Sequence, residues 1–153
     1  METLEQKKRK LIGKIKYLDK YIRTLNRIIL KGVEPTMLLS VVETDNIYPL
    51  SLIYKTVNKR TLDFCDKKEE WGMIKDIFGN NPLYIWLTHG SECGLCPLKS
   101  IDLFNIDFDY EDDPEGIIVL ITHDFSKKIV LDFYEESNGK KIDIIVKSII
   151  KKK

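Results

Sequence analysis

Hydrophobic positions follow three patterns along the chain, and each pattern predicts a different element. Leu4, Leu11, Ile15, Leu18, Ile22, Leu25 and Ile29 step by threes and fours, with Lys8 the one polar interruption. This heptad seam predicts a long amphipathic helix over residues 1–31, regular from Thr3 to Leu30 and about 40 Å long. Gly32 and Pro35 just beyond are stop signals. Ile12 and Ile28 widen the stripe past a narrow coiled-coil seam. The face is therefore expected to pack on its own chain, with a homodimer through the helix as the alternative.

The second pattern has a period of two. Phe104, Ile106, Phe108 and Tyr110 alternate with Asn105, Asp107, Asp109 and Glu111, which predicts a half-buried strand. Asp112-Asp113-Pro114-Glu115-Gly116 carries turn chemistry. Ile117 to Ile121 is the third pattern, an unbroken apolar run suited to a strand covered on both faces. Beyond His123 to Ser126, alternation resumes at Ile129, Leu131 and Phe133. The three segments predict a β-meander over 104–136. Elsewhere Met37 to Val42 and Leu83 to Leu87 read as strands, and Lys67 to Phe78 as a helix capped by Gly79. Leu52 to Val57 and Thr61 to Phe64 read as a hairpin around Asn58-Lys59-Arg60.

The tail fits two elements. Asn138-Gly139 is a strong hairpin signal, and would set Phe133 opposite Ile144, Leu131 opposite Val146 and Glu136 opposite Lys141. Yet Ile142, Ile145, Val146, Ile149 and Ile150 share one helical face, and a lysine-rich end suits a helix C-terminus. Persistence of the stripe to Ile150 tips the expectation toward helix. The expected fold is α+β in a single domain, 1–153. An antiparallel sheet of about five or six strands carries the long N-terminal helix on one face, and 37–153 forms the body.

Composition adds limits. Hydrophobic residues make up 43% and charged residues 32%. No signal-peptide pattern and no apolar run near the ~18 residues of a membrane span is present, so a cytoplasmic protein without a membrane partner is expected. Three cysteines are an odd number, which argues against a disulfide framework and for a reducing compartment.

Charge changes the picture more. The net charge of +1 conceals segregation: residues 1–32 carry +7, residues 101–136 carry −9 and residues 140–153 carry +5. Such asymmetry points to complementarity within the chain or to charged partners.

Candidate chemistry is sparse. Cys93-Gly94-Leu95-Cys96, with His89 four residues earlier and Cys65 at a distance, composes a Cys3His zinc set on paper. One such pair without a second close pair is weak, and free cysteine behaves as a small buried hydrophobe, so no cofactor is expected. A small enzyme or zinc protein built around His89, Cys93 and Cys96 stands as an alternative. His123-Asp124 lies in a turn, and neither a nucleophile elbow nor a glycine-rich phosphate loop is present, so no catalytic residue is assigned. A calcium loop is excluded by the misplaced Gly116. Lys7 to Lys16, with Tyr17 and Tyr21, could touch phosphate in a dimeric regulatory protein. A sequence pI near 7.6 and the lack of a DNA-binding motif argue against nucleic acid.

The acidic stretch carries the functional expectation. Five acids fall between Asp109 and Glu115, a density beyond the needs of solubility, with aromatic rings beside them. One reading is a solvated outer face. The other is a partner surface made of Asp107, Phe108, Asp109, Tyr110, Glu111, Asp112, Asp113 and Glu115, steering a cationic protein into place. In size and charge layout the chain resembles the small acidic immunity proteins of polymorphic and contact-dependent toxin systems, although no motif carries that likeness. The resemblance implies a non-enzymatic bacterial inhibitor that neutralises a basic toxin domain, such as a nuclease.

Overall fold

The computed structural model describes residues 2–49 and 51–152, so Met1, included in the expected helix, lies outside the described residues. Six antiparallel strands form one sheet in the order β1-β6-β5-β4-β2-β3. They are β1 (Leu52–Asp63), β2 (Leu83–Leu87), β3 (Cys96–Leu98), β4 (Ile117–Thr122), β5 (Lys127–Glu136) and β6 (Gly139–Lys152). A long N-terminal helix and the loops after β3 cover one face, giving the expected α+β architecture. Ile85, Ile118, Leu120, Leu131 and Ile144 point into this main core and meet Leu25 and Ile28 of the helix. On the opposite face Val119 and Ile121 pack with Leu95, Trp86 and Tyr48. Strand β4 is thus buried on both sides, as its unbroken apolar run predicts; each such Ile or Leu contributes roughly 1.5–3 kcal/mol of burial. Among the described residues, no helix is long and apolar enough to cross a membrane.

The N-terminal helix has three parts: α1 (Leu4–Ile12), a π-helical turn (Gly13–Tyr17) and α2 (Leu18–Ile28). A π turn takes in an extra residue, and each helical residue rotates the side-chain direction by about 100°. The heptad seam read on a regular helix is therefore split. In α2 Tyr21, Thr24, Leu25 and Ile28 face the core. In α1 the inward side is polar: Gln6 and Arg9 bond Asp45, and Arg9 also donates to the Ser91 carbonyl. Leu4, Leu11 and Ile15 consequently face outward, 69%, 57% and 72% exposed. The expectation that the whole seam packs on its own chain holds for Leu25 and Ile29 and fails for Leu11 and Ile15. Gly13 opens the π turn, and a Cβ there would lie 2.4 Å from the Glu92 carbonyl oxygen, so the turn can approach Glu92 this closely only with glycine.

Four other expectations are corrected. Met37 to Val42 is no strand. A 3-10 turn (Pro35–Met37) precedes helix α3 (Val41–Ile47), which starts on a capping box between Ser40 and Glu43. The predicted hairpin at 52–64 is the single strand β1, in which register shifts at Ile53/Tyr54 and Thr56/Asn58 absorb the break in alternation. The predicted helix at 67–78 begins as a 3-10 segment (Phe64–Glu70) and becomes α4 only over Trp71–Phe78, closed by Gly79 at φ 57. The tail is strand, not helix. Ile142, Ile144 and Val146 alternate into the core, and β-branched residues favour a pleated surface. Its register also differs: Phe133 pairs with Ile142, Leu131 with Ile144 and Glu136 with Gly139. The slip is two residues, so every side chain keeps its expected face.

The meander's first strand is also absent. Phe104 makes one isolated bridge to Ile29, and the chain then turns away. The Asn105 side chain accepts from the Asp107 N–H, and the Phe108 N–H bonds back to the Asn105 carbonyl. Local side-chain bonds of this kind compete with a ladder and win here. The three-strand meander that exists is β4-β5-β6.

Candidate functional site

The acidic stretch is a folded loop seated on the end of α2. The Asn105 N–H donates to the Ile28 carbonyl at 2.8 Å, and the Leu30 N–H to the Leu103 carbonyl at 2.7 Å. Ile106 and Phe108 plug into the core below. Asp109 and Asp112 cap each other across a 3-10 turn (Tyr110–Asp112), with Asp109 N–H to Asp112 Oδ2 at 2.7 Å. Asp113 Oδ1 then accepts from the Glu115 N–H at 3.1 Å. Gly116 closes the loop at φ 73. A side chain there would put its Cβ 2.5 Å from the Phe133 carbonyl oxygen, so only glycine lets the loop lie against β5.

Beneath the loop lies an aromatic cluster. Phe108 sits 5.3 Å from Phe133, 5.5 Å from Phe64 and 6.0 Å from Phe104, ring centre to ring centre. The buried Lys67 ammonium covers Phe64 at 4.0 Å and Phe108 at 4.8 Å. Burial pulls the Lys67 pKa down, while Asp107, Asp109 and Asp112 push it back up. This cation holds the loop's negative charge from below.

The structure sorts the eight residues expected at a partner surface. Phe108 is 1% exposed and Asp113 4%, so both belong to the interior and not to the surface. Asp107, Asp109, Glu111 and Glu115 are exposed, and Tyr110 and Asp112 are half-buried. Three exposed lysines reach them: Lys68 to Asp107 at 3.2 Å, Lys140 to Glu111 at 3.0 Å and Lys20 to Glu115 at 3.1 Å. Lys20 and Lys140 come from the two basic ends of the sequence, so part of the charge segregation is internal pairing. The Lys140 hydrogen bond holds the Glu111 carboxyl below its usual range.

Between the loop and the β5–β6 hairpin runs a groove of about 520 Å³. Glu111 and Glu115 form one wall; Glu135, Tyr134 and Lys140 form the other, with Tyr110 in between. The hairpin residues were not foreseen as site residues. The Asn138-Gly139 signal is what could have placed them, because it folds residues 134–140 back beside the loop.

The alternative Cys3His zinc set of Cys65, His89, Cys93 and Cys96 does not assemble among the described residues. Cys65 is exposed beside Asp66, Cys93 is half-buried, and Cys96 is buried in β3. Among the described residues, no three His, Cys, Asp or Glu side chains gather in a way that could hold a metal ion. Burial pushes the Cys93 thiol up to about 12 and the Cys96 thiol up to about 11, which disfavours the thiolate at either position. His89 adopts φ 73 and stacks flat on Tyr17, with ring centres 3.6 Å apart. No family model, no curated protein and no solved structure matches the chain.

Proposed function

We propose that the chain is a binding protein for a cationic protein domain, an inhibitor of the immunity type that neutralises a basic toxin such as a nuclease. The observation that supports this reading is the groove walled by Glu111, Glu115 and Glu135, with Tyr110 and Tyr134 beside them. Its present cationic partners, Lys20 and Lys140, are exposed. Exposed ion pairs contribute only about 0–1 kcal/mol, so an incoming lysine or arginine can replace them at little cost. Net negative potential at the groove steers a positive partner, and the tyrosines supply ring surface of the kind that anchors interfaces. Such an inhibitor would act in the cytoplasm of the cell that makes the toxin. The test is neutralisation: the purified chain should abolish the activity of a cationic nuclease domain encoded beside it, at one-to-one stoichiometry. Full nuclease activity at saturating concentrations of the chain would contradict the proposal.

A second reading is favoured by Leu4 and Leu11, which lie one heptad apart on α1 and face solvent. They would join two copies through α1. Sedimentation of the wild type against Leu11→Glu decides it: a concentration-dependent dimer lost in the variant supports the reading, and a monomer at all concentrations removes it.

A further inference from the structure

Four of the nine large apolar side chains exposed among the described residues fall within one short stretch: Leu4, Leu11, Ile12 and Ile15. Exposed apolar residues scattered singly are ordinary, but a run of them on one element marks a surface that meets something. Their direction is fixed, because the other side of α1 is anchored. Gln6 and Arg9 bond Asp45 there, and Gly13 lies against the Glu92 backbone.

Lysines fill the spaces between the apolar residues. Lys7 and Lys8 come three and four residues after Leu4 and the same distances before Leu11, so on the helix surface both neighbour both leucines. Lys14 and Lys16 flank Ile15 in the π turn. All four lysines are exposed, and none forms an ion pair among the described residues. The acids of this segment are Glu2 and Glu5, and they stand 3.8 Å from Lys10 and 2.8 Å from Arg9. The ridge is therefore apolar and cationic at once, with no free acid in it.

That combination narrows the occupant. A nucleic-acid backbone would use the lysines and leave Leu4, Leu11 and Ile15 in water. A second copy would cover the leucines, but in a parallel pair Lys8 takes the other seam position and faces its own counterpart, between the flanking Lys7 and Lys14. An anionic bilayer surface satisfies both halves. Leucine and isoleucine enter the boundary between headgroups and acyl chains, while lysine stems lie along the apolar surface and their ammoniums stay among the headgroup phosphates and carboxylates. Lying on a bilayer requires one apolar side and no spanning segment.

We infer that α1 and the π turn form a docking surface for an anionic lipid bilayer, with Leu4, Leu11 and Ile15 entering the interface and Lys7, Lys8, Lys14 and Lys16 holding its negative charge. This surface uses none of the acidic groove's residues and does not rest on the function proposed above.

The probe is vesicles of phosphatidylserine and phosphatidylcholine in equal parts, with phosphatidylcholine vesicles and a duplex DNA as comparisons. In co-sedimentation the full chain should bind the mixed vesicles and not phosphatidylcholine alone, and added salt should weaken the binding. Lys7→Glu, Lys8→Glu, Lys14→Glu and Lys16→Glu together should weaken it by about a hundredfold or more. Leu4→Ser, Leu11→Ser and Ile15→Ser together leave the charge unchanged and should weaken it by about tenfold or more. Both variants should melt like wild type, because every altered side chain is exposed. No binding to the mixed vesicles, whether the chain is a monomer or a dimer joined through this ridge, would overturn the inference, as would equal binding to phosphatidylcholine alone. Full vesicle binding by the serine variant, with duplex DNA bound as tightly, is the behaviour of a simple polycation and would overturn it too.

Discussion

Replacing Phe108 by alanine separates the two roles that this residue can have. Its alternation with acidic neighbours makes it a candidate contact for a partner, whereas in the fold it is 1% exposed and surrounded by Phe64, Phe104, Phe133 and Lys67. A phenylalanine buries at least about 150 Å², which at about 25 cal/mol per Å² gives roughly 4 kcal/mol of transfer free energy. An extended-chain reference overstates that figure, while the vacated space and the lost ring contacts add to it. The expected destabilisation is therefore about 3–5 kcal/mol, the usual range for a buried Phe→Ala change. Near the melting point each 1 kcal/mol moves Tm by about 2–4 °C in a chain of this length, so a fall of at least about 6 °C is expected. Urea unfolding followed by tryptophan fluorescence measures the same quantity at constant temperature. Tyr110→Ala serves as the comparison, because that ring is half-buried and should cost less. A Phe108→Ala protein within about 1 kcal/mol of wild type would refute the burial of this ring, since surface substitutions stay that close. It would return Phe108 to the list of surface contacts.

Two further outcomes follow from the loop's construction. Gly116→Ala should lose more than about 1 kcal/mol, because φ 73 and a Cβ 2.5 Å from the Phe133 carbonyl oxygen penalise any side chain; unchanged urea unfolding would show that the loop does not lie against β5. Burial raises the Asp113 carboxyl above the ordinary aspartate value, partly offset by the backbone N–H groups of Glu115 and Ile117 and by Lys20, and reinforced by Glu115. The folded protein thus keeps this proton to higher pH than the unfolded chain does. Stability from this group is lost as pH rises from the ordinary aspartate value through the raised one. Asp113→Asn should therefore gain stability relative to wild type across that interval, and parallel pH profiles for the two proteins would contradict a raised value.

Much of the sheet is legible in the sequence because its strands announce themselves locally. Leu83 to Leu87, Ile117 to Ile121 and Ile129 to Phe133 form the strands their patterns predict. A helix start at Ser40 was equally available, since Ser40 and Glu43 spell a capping box three residues apart; the apolar run Met37 to Val42 masked it. The π turn at Gly13 is another matter. It packs closely against Glu92, a contact 79 residues away in sequence, and no periodicity foretells it. Asn105 and Asp109 carried the information that 104–111 is a loop, because both side chains bond their own backbone neighbourhood. The alternating aromatic positions mimic a strand since Phe104, Ile106 and Phe108 are all buried, though by a coiling segment. At the site, density of acid is visible in the sequence. The pairing of Glu111 with Lys140 and Glu115 with Lys20, and the separation of Asp113 from the surface, arise only once distant segments meet.

Association kinetics against the proposed cationic partner domain test the groove most directly. Glu111→Lys, Glu115→Lys and Glu135→Lys together reverse the exposed walls while sparing Asp109 and Asp112, which cap the turn, and the buried Asp113. Melting should change little, as all three carboxylates are exposed and the ion pairs of Glu111 and Glu115 are exposed as well. At low ionic strength the association rate constant should fall by about tenfold or more, and its dependence on salt should flatten, because steering by surface charge acts on the encounter and is screened within a Debye length of about 10 Å at 0.1 M. Wild type and the triple variant associating at the same rate, with the same salt dependence, would contradict the acidic groove as the partner surface.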